Sequence, residues 1–171
     1  MKKYQGRIAL LGTSADPPTF GHQALLVGLL KLFPTVVTWA SDNPTKQHET
    51  SLQQREVLLK ALVEDIQNPN LILDQSISSP WTINSLEKAS IIWPESEFIF
   101  VVGSDLTSEI PSWHKIKEVL KKSRLAIAPR QGWPINNNAI NELISLGAKI
   151  EILPMNIPAS ASSFLRKNPD I

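Results

Sequence analysis

Two stretches of this sequence, IALL at residues 8–11 and FIFVV at 98–102, are apolar at every position. A strand with one face in water alternates apolar and polar residues, so short unbroken runs of this kind indicate strands covered on both faces. That requirement restricts the chain to a sheet with helices packed on each side. Strand patterns fall at residues 7–12, 35–40, 70–74, 97–102, 124–128 and 149–153. Helical patterns fall between them at 21–33, 52–66, 82–93, 104–122 with a break near Pro111, and 137–146. The alternation predicts an α/β fold with a mainly parallel sheet of about six strands and helices on both faces.

With 171 residues, no internal repeat and no Gly/Ser linker, the chain is expected to form a single domain over residues 1–171. The formal charge is +1 and the basic and acidic residues interleave, so no broad field draws in nucleic acid or an anionic lipid surface, and neither is an expected partner. Any anion must be held locally. Cysteine is absent, which removes disulfides, thiol nucleophiles and thiolate zinc sites and fits a reducing compartment; the cytoplasm is the expected location. No apolar stretch approaches the roughly 20 residues of a membrane span, and the run after MKKYQGR is too short for a secretory leader.

The segment LLGTSADPPTFGHQALL, residues 10–26, joins the first strand pattern to the first helix. Gly12, Thr13 and Ser14 carry small side chains that let backbone N–H groups approach a phosphate. The helix then starts near Gly21 and His22, where unpaired N–H donors and about half a positive charge favour an anion. His22 reads either as an ordinary histidine at a helix start or as a directed donor to that anion. Neither G-x-x-x-x-G-K-[ST] nor G-x-G-x-x-G occurs, which argues against a P-loop nucleotidase and a classical dinucleotide-binding dehydrogenase. Pro17 and Pro18 follow the first strand pattern, Pro44 the second, Pro80 the third, Pro129 the fifth and Pro154 the sixth. Ligands of open parallel sheets bind beyond the carboxyl ends of the strands, where such stiffened loops lie, although proline also ends strands generally.

GTSADPPTFGH resembles the motif of the nucleotidyltransferase superfamily, a Gly-rich turn with Asp-Pro followed by His or Thr, any residue, Gly and His. Thr19-Phe20-Gly21-His22 fills that element in its Thr form, and Ala15 stands where an aromatic residue is usual. The resemblance implies a Rossmann-like, doubly wound sheet. It assigns the ATP phosphates to Thr19 and His22 together with Gly12, Thr13, Ser14 and Gly21, and places Asp16 at the mononucleotide. VVGSD at 101–105 is similar to the family's Gly-x-Asp after the fourth strand, which implies ribose contacts for Gly103 and Asp105. SASSFLR at 160–166 resembles the Ser-rich, Arg-terminated motif of a late helix, which implies phosphate contacts for Ser162, Ser163 and Arg166.

Three further segments, NPTKQH at 43–48, WTINSL at 81–86 and PSWHKIKEVL at 111–120, are similar to segments of bacterial nicotinate mononucleotide adenylyltransferases, cyanobacterial members in particular. The resemblance implies that Lys46 acts with His22, Thr19 and Arg166 on the reacting phosphates. It also implies that Thr82 meets a pyridine carboxylate, that Trp113 stacks on the ring and that His114 offers its backbone N–H. Taken by themselves, Thr82 also reads as a helix cap, while Trp113 reads rather as an anchor between surface and core and Lys46 as a solvated loop lysine. Trp39 and Trp93 sit in apolar runs and are expected in the core, while Trp133 in RQGWPINN is expected on an exposed loop.

The implied reaction transfers the adenylyl group of ATP to nicotinate mononucleotide, with pyrophosphate released. Nicotinamide mononucleotide or phosphopantetheine as the acceptor, or a catalytically silent nucleotide-binding protein on the same fold, are the alternatives. An attacking phosphate monoester is already ionised near neutral pH, with a second pKa of about 6, so no general base is required. The expected cofactor is Mg²⁺ held mainly by the ATP phosphates and water. No protein metal site is expected from a chain with three histidines and no H-E-x-x-H.

Overall fold

Residue-level structure comes from a computed structural model that describes residues 6–43 and 47–159. Lys46, Ser162, Ser163 and Arg166 lie outside the described residues. Chain order is β1 (Arg7–Thr13), α1 (Phe20–Leu32), β2 (Thr35–Ala40), α2 (Leu52–Ile66), β3 (Leu71–Leu73), α3 (Thr82–Ile92), β4 (Glu97–Gly103), α4 (Ile116–Lys122), β5 (Arg124–Ala128), α5 (Asn137–Ser145) and β6 (Ile150–Ile152). All strand pairings are parallel and the spatial order is β3-β2-β1-β4-β5-β6. This is the doubly wound arrangement, and its direction of winding reverses between β1 and β4.

The unbroken apolar runs have the expected cause. Successive side chains of a strand point to opposite faces. Ile8 and Leu10 of β1 join Phe98, Phe100 and Val102 of β4 in one core with Ile83 and Leu86 of α3, Val119 of α4 and Leu143 of α5. Ala9 and Leu11 join Ile99 and Val101 in a second core with Leu26 and Leu29 of α1, against which Leu62 and Val63 of α2 pack. Both faces of the sheet are thus covered, and Trp39 and Trp93 are buried in the first core.

Pairing at the centre of the sheet is incomplete. β1 stays in register with β2 as far as Thr13↔Ala40, and β4 with β5 as far as Gly103↔Ala128. Between β1 and β4 the register ends at Leu10↔Phe100. The last residues of the two strands diverge, and the gap between them is the mouth of a cleft. At the opposite, amino-terminal edge the same strands are linked by charge. Arg7 is paired with Glu151, Arg124 Nε lies 3.6 Å from Glu97 and 3.7 Å from Glu151, and Arg7 Nε lies 4.0 Å from Glu97.

One expectation from sequence needs correction. Residues 104–122 are not a single helix interrupted at Pro111. They form 3₁₀ turns at Ser104–Leu106 and Ile110–Ser112, and α4 starts only at Ile116. Pro111 has no N–H to continue a helix, Trp113 is extended, and Lys115 has a left-handed φ of 52°. Irregular backbone therefore carries Asp105, Trp113 and His114.

Gly12 has a packing role that its place in a small-residue turn does not reveal. It pairs in register with Trp39, and a Cβ at position 12 would come within 2.8–2.9 Å of the Trp39 indole, closer than side-chain carbons normally approach. Gly12→Ala is expected to destabilise the fold by about 1–3 kcal/mol, the range for an overpacked core. Trp39→Phe in the same chain should recover part of that loss, because less ring then lies over position 12. Urea unfolding of the four proteins in this double-mutant cycle reads the coupling; additive losses would show that the indole is not what limits position 12.

Candidate active site

The cleft at the carboxyl ends of β1 and β4 has a volume of about 890 Å³. Its walls bring together Gly12, Thr13, Ser14, Gly21, His22, Thr82, Gly103, Asp105, Trp113 and His114, residues from five separate segments of the chain. Trp39, Phe100 and Trp113 also line it and form an edge-to-face chain of rings, with centroids 6.3 Å apart for Trp39–Phe100 and 5.8 Å apart for Phe100–Trp113. Trp113 is thus both a partner of the core and part of the cleft wall.

His22 is the third residue of α1. The Thr19 backbone N–H donates to its Nδ1 at 2.9 Å, and the Thr19 hydroxyl lies 3.1 Å from the same nitrogen. His22 therefore takes the part that Glu or Gln plays in a capping box, reaching back to the N-cap residue. An imidazole that accepts through Nδ1 carries its proton on Nε2 when neutral. Burial first, and the nearby Arg130 charge second, pull the His22 pKa from 6.5 down to about 4. At neutral pH His22 is thus an uncharged ring with one fixed donor, Nε2–H. Thr19 is not part of the cleft wall; it holds the ring that is.

Asp16 is 1% exposed and is likewise not part of the wall. Its carboxylate accepts from Glu49 N–H and from the Thr50 hydroxyl, each at 2.7 Å, and so fastens the loop before α2 to the turn after β1. Next to that contact, His48 Nε2 lies 3.4 Å from the Ser14 hydroxyl, and both residues line the cleft.

Across the cleft, Asp105 pairs with Arg130, whose Nη1 donates to its Oδ2 at 2.9 Å. A Cβ on Gly103 would overlap Asp105 Oδ1, so glycine at 103 lets the carboxylate fold back toward Arg130. Ser104 ties this wall to the loop after β5: its hydroxyl donates to the Trp133 carbonyl at 2.6 Å and accepts from Arg130 N–H at 3.0 Å. Trp133 is 54% exposed at the rim, on a loop as expected.

At the third wall α3 begins. Its N-cap is Trp81 with no side-chain cap, and its first turn holds no acidic residue. Thr82 is the first helical residue rather than the cap, and among the described residues no side chain caps the start of α3. The Trp81 ring is stacked at a tilt on His114, with centroids 5.1 Å apart and planes at 38°. Arg130, which lines the cleft, is absent from the set of site residues predicted from sequence. A charged residue directly after the buried fifth strand and Pro129 is the sequence signal that points to Arg130.

The sequence model of a family described as cytidylyltransferase-like matches residues 10–167. The chain belongs to the cytidylyltransferase-like family. Among curated relatives of this cytidylyltransferase-like chain, a protein of Synechocystis sp. named "Probable nicotinate-nucleotide adenylyltransferase" is 39% identical over 157 residues, which cover 86% of the chain and 78% of the relative. A protein of the same name from Methylibium petroleiphilum is 28% identical, covering 88% of the chain and 73% of the relative. The fold resembles that of Plasmodium falciparum nicotinic acid mononucleotide adenylyltransferase complexed with NaAD, with a TM-score of 0.69 and 18% identity over 95% of this chain and 79% of that one. The same enzyme complexed with APC matches with a TM-score of 0.63 and 18% identity, covering 93% of this chain and 77% of that one.

The depressed pKa of His22 sets a pH dependence for this cytidylyltransferase-like fold. The unfolded chain takes up a proton at His22 near pH 6.5 and the folded chain only near pH 4. Between these values the unfolded state binds more protons, so this contribution to stability falls as pH drops from 6.5 toward 4 and is constant above 6.5. His22→Gln should lose less stability than the parent protein between about pH 7 and pH 5, read by urea unfolding at each pH. Equal losses in the two proteins would exclude His22 as the source.

Proposed function

We propose that the chain transfers the adenylyl group of ATP to nicotinate mononucleotide, forming nicotinate adenine dinucleotide and pyrophosphate in NAD biosynthesis. One observation carries the reading: two helix starts, those of α1 and α3, open on one cleft, and neither has an acidic residue in its first turn. Each turns backbone N–H groups and partial positive charge toward an anion. The substrates bring two such groups, a polyphosphate and a pyridine carboxylate. The names of the relatives support the same assignment.

In this reading the triphosphate lies against residues 12–14 and the start of α1. An oxygen of the mononucleotide phosphate attacks the α-phosphorus, the new P–O bond forms as the bond from the α-phosphorus to its bridging oxygen breaks, and pyrophosphate leaves. Charge shifts onto phosphate oxygens, and the Nε2–H of His22 meets them as a donor already fixed in direction by Thr19. Being neutral, it needs no counterion in the resting cleft. Lys46, Ser162, Ser163 and Arg166 complete the phosphate contacts. Gly103 and Asp105 take the ribose, with Asp105 held by Arg130. The start of α3 at Thr82 and the N–H of His114 receive the carboxylate, and the pyridine ring lies on Trp113.

The cleft lining also bears on magnesium. Its carboxylates are Asp105, already paired with Arg130, and Glu109, and no group of three or more His, Cys, Asp or Glu among the described residues could hold a metal. Such a lining fits an ion that arrives on the ATP phosphates with its own water, as Mg²⁺ commonly does. When bound there it neutralises phosphate charge.

Pyrophosphate release with ATP and Mg²⁺ tests the assignment, with nicotinate mononucleotide, nicotinamide mononucleotide and phosphopantetheine compared as acceptors. Turnover should be strongly favoured by the nicotinate form. Preference for the amide would retain the reaction but overturn the role given to α3, and absence of turnover with every acceptor would leave a nucleotide-binding protein. In the same assay His22→Ala should lower kcat by roughly 10²- to 10³-fold, the range for loss of one donor to developing charge. Trp113→Ala should chiefly raise KM for the mononucleotide.

A further inference from the structure

Arg55 projects from α2 and is 2% exposed, a charged side chain almost fully buried. It is not part of the cleft wall. Its Nη1 donates to two carbonyls of the adjoining loops, Ser14 at 3.1 Å and Ser41 at 2.7 Å, while its Nε has no partner among the described residues. Burial lowers its pKa, and the charges of Asp16 and Asp42 oppose that effect. A buried cation is a poor device for stability alone, because desolvation offsets its attractions and an apolar side chain fills the same space.

Both carbonyls belong to residues that line the cleft. Ser14 and Ser41 follow β1 and β2, and the two loops are also joined by the Ser41 N–H, which donates to the Thr13 carbonyl at 2.8 Å. In a planar trans peptide the C=O and the following N–H point in opposite directions. Arg55 lies behind the cleft wall, so a Ser14 carbonyl held by Arg55 is turned off that wall, and the N–H of Ala15 faces the other way. Ala15 has a φ of 45°, a backbone conformation uncommon outside glycine, and it too lines the cleft. A turned peptide would instead present a carbonyl oxygen to the ligand, where it would repel a polyanion.

We propose that Arg55 is a positioning residue for polyphosphate binding: by holding the Ser14 and Ser41 carbonyls behind the cleft wall it keeps the loop's backbone N–H groups directed at the phosphates. The inference rests on the reading that this cleft binds ATP. Lysine is no equivalent, since both bonds leave from Nη1 alone, a position that the planar guanidinium fixes and the flexible stem of lysine does not.

Arg55→Lys and Arg55→Met, compared with the parent protein, test it through the affinities for ATP, tripolyphosphate and adenosine measured by calorimetry, with thermal midpoints recorded alongside. In a folded variant, ATP and tripolyphosphate should bind at least tenfold more weakly while adenosine binds as before. A structural role alone would lower the midpoint and leave the ratio of ATP to adenosine affinity where it was; that result overturns the proposal. If neither variant folds, the guanidinium NMR signals of Arg55 in the parent protein are followed as tripolyphosphate is added. A shift that saturates with binding supports the proposal and unmoved signals overturn it. Parent protein that binds tripolyphosphate but adenylylates no acceptor would sink the proposed reaction and leave the Arg55 result standing, whereas binding of neither ATP nor tripolyphosphate would overturn both.

Discussion

The site depends on where the pairing of β1 and β4 stops. Two strands that remained paired to their last residues would present a closed edge, with the backbone groups of both committed to each other. Here the register ends at Leu10↔Phe100 while each strand continues in register with its outer neighbour. The outer pairings keep the residues beyond Leu10 and Phe100 extended, and the missing inner pairing gives them room. Helices α1 and α3, on opposite faces of the sheet, then begin at the two sides of the same gap. A fold with its winding reversed at this point produces the cleft without any special loop, and the side chains only furnish it.

The furnishing relies on direction more than on charge. His22 is neutral and its donor is fixed by a backbone N–H behind it; Arg130 is a cation but is shared with Asp105; the helix starts supply partial charges that need no counterion. Among the described residues no isolated full charge is buried in the lining, and the His22 donor is already oriented when an anion enters. Gly12 and Gly103 belong to the same scheme at one remove. Each omits a side chain so that a neighbour, Trp39 or Asp105, can occupy the space.

Much of this was legible in the sequence, for identifiable reasons. Strands covered on both faces must be apolar at successive positions, so the patterns at β1 and β4 fell on their strands. The turn after β1, the Gly-x-Asp after β4 and the start of α3 carry their chemistry in consecutive residues, and the fold brings them to one cleft. What escaped depends on contacts between distant segments or on single backbone angles. Residues 104–122 keep a helical pattern of apolar residues, and Pro111, the extended Trp113 and the left-handed Lys115 break it. Whether Asp16 faces a ligand or the loop at 49–50 cannot be read from its neighbours in sequence. Arg130 is marked in sequence only by its place after the fifth strand and Pro129, whereas Arg55 acquires meaning from the residues folded against it.

The four charges at the other end of the sheet have a consequence for assembly of the fold. Arg7, Glu97, Arg124 and Glu151 alternate in sign across β1, β4, β5 and β6, and all are partly exposed, so each pairing adds little to the depth of the native well. Parallel strands must find neighbours far along the chain, and apolar runs of similar length discriminate poorly among them. Exchanging β4 with β5 would bring Arg7 beside Arg124 and Glu97 beside Glu151, setting like charges next to each other at the rim. Each such contact costs little at an exposed rim, but all of them weigh against a misordered sheet that the hydrophobic core alone would accept.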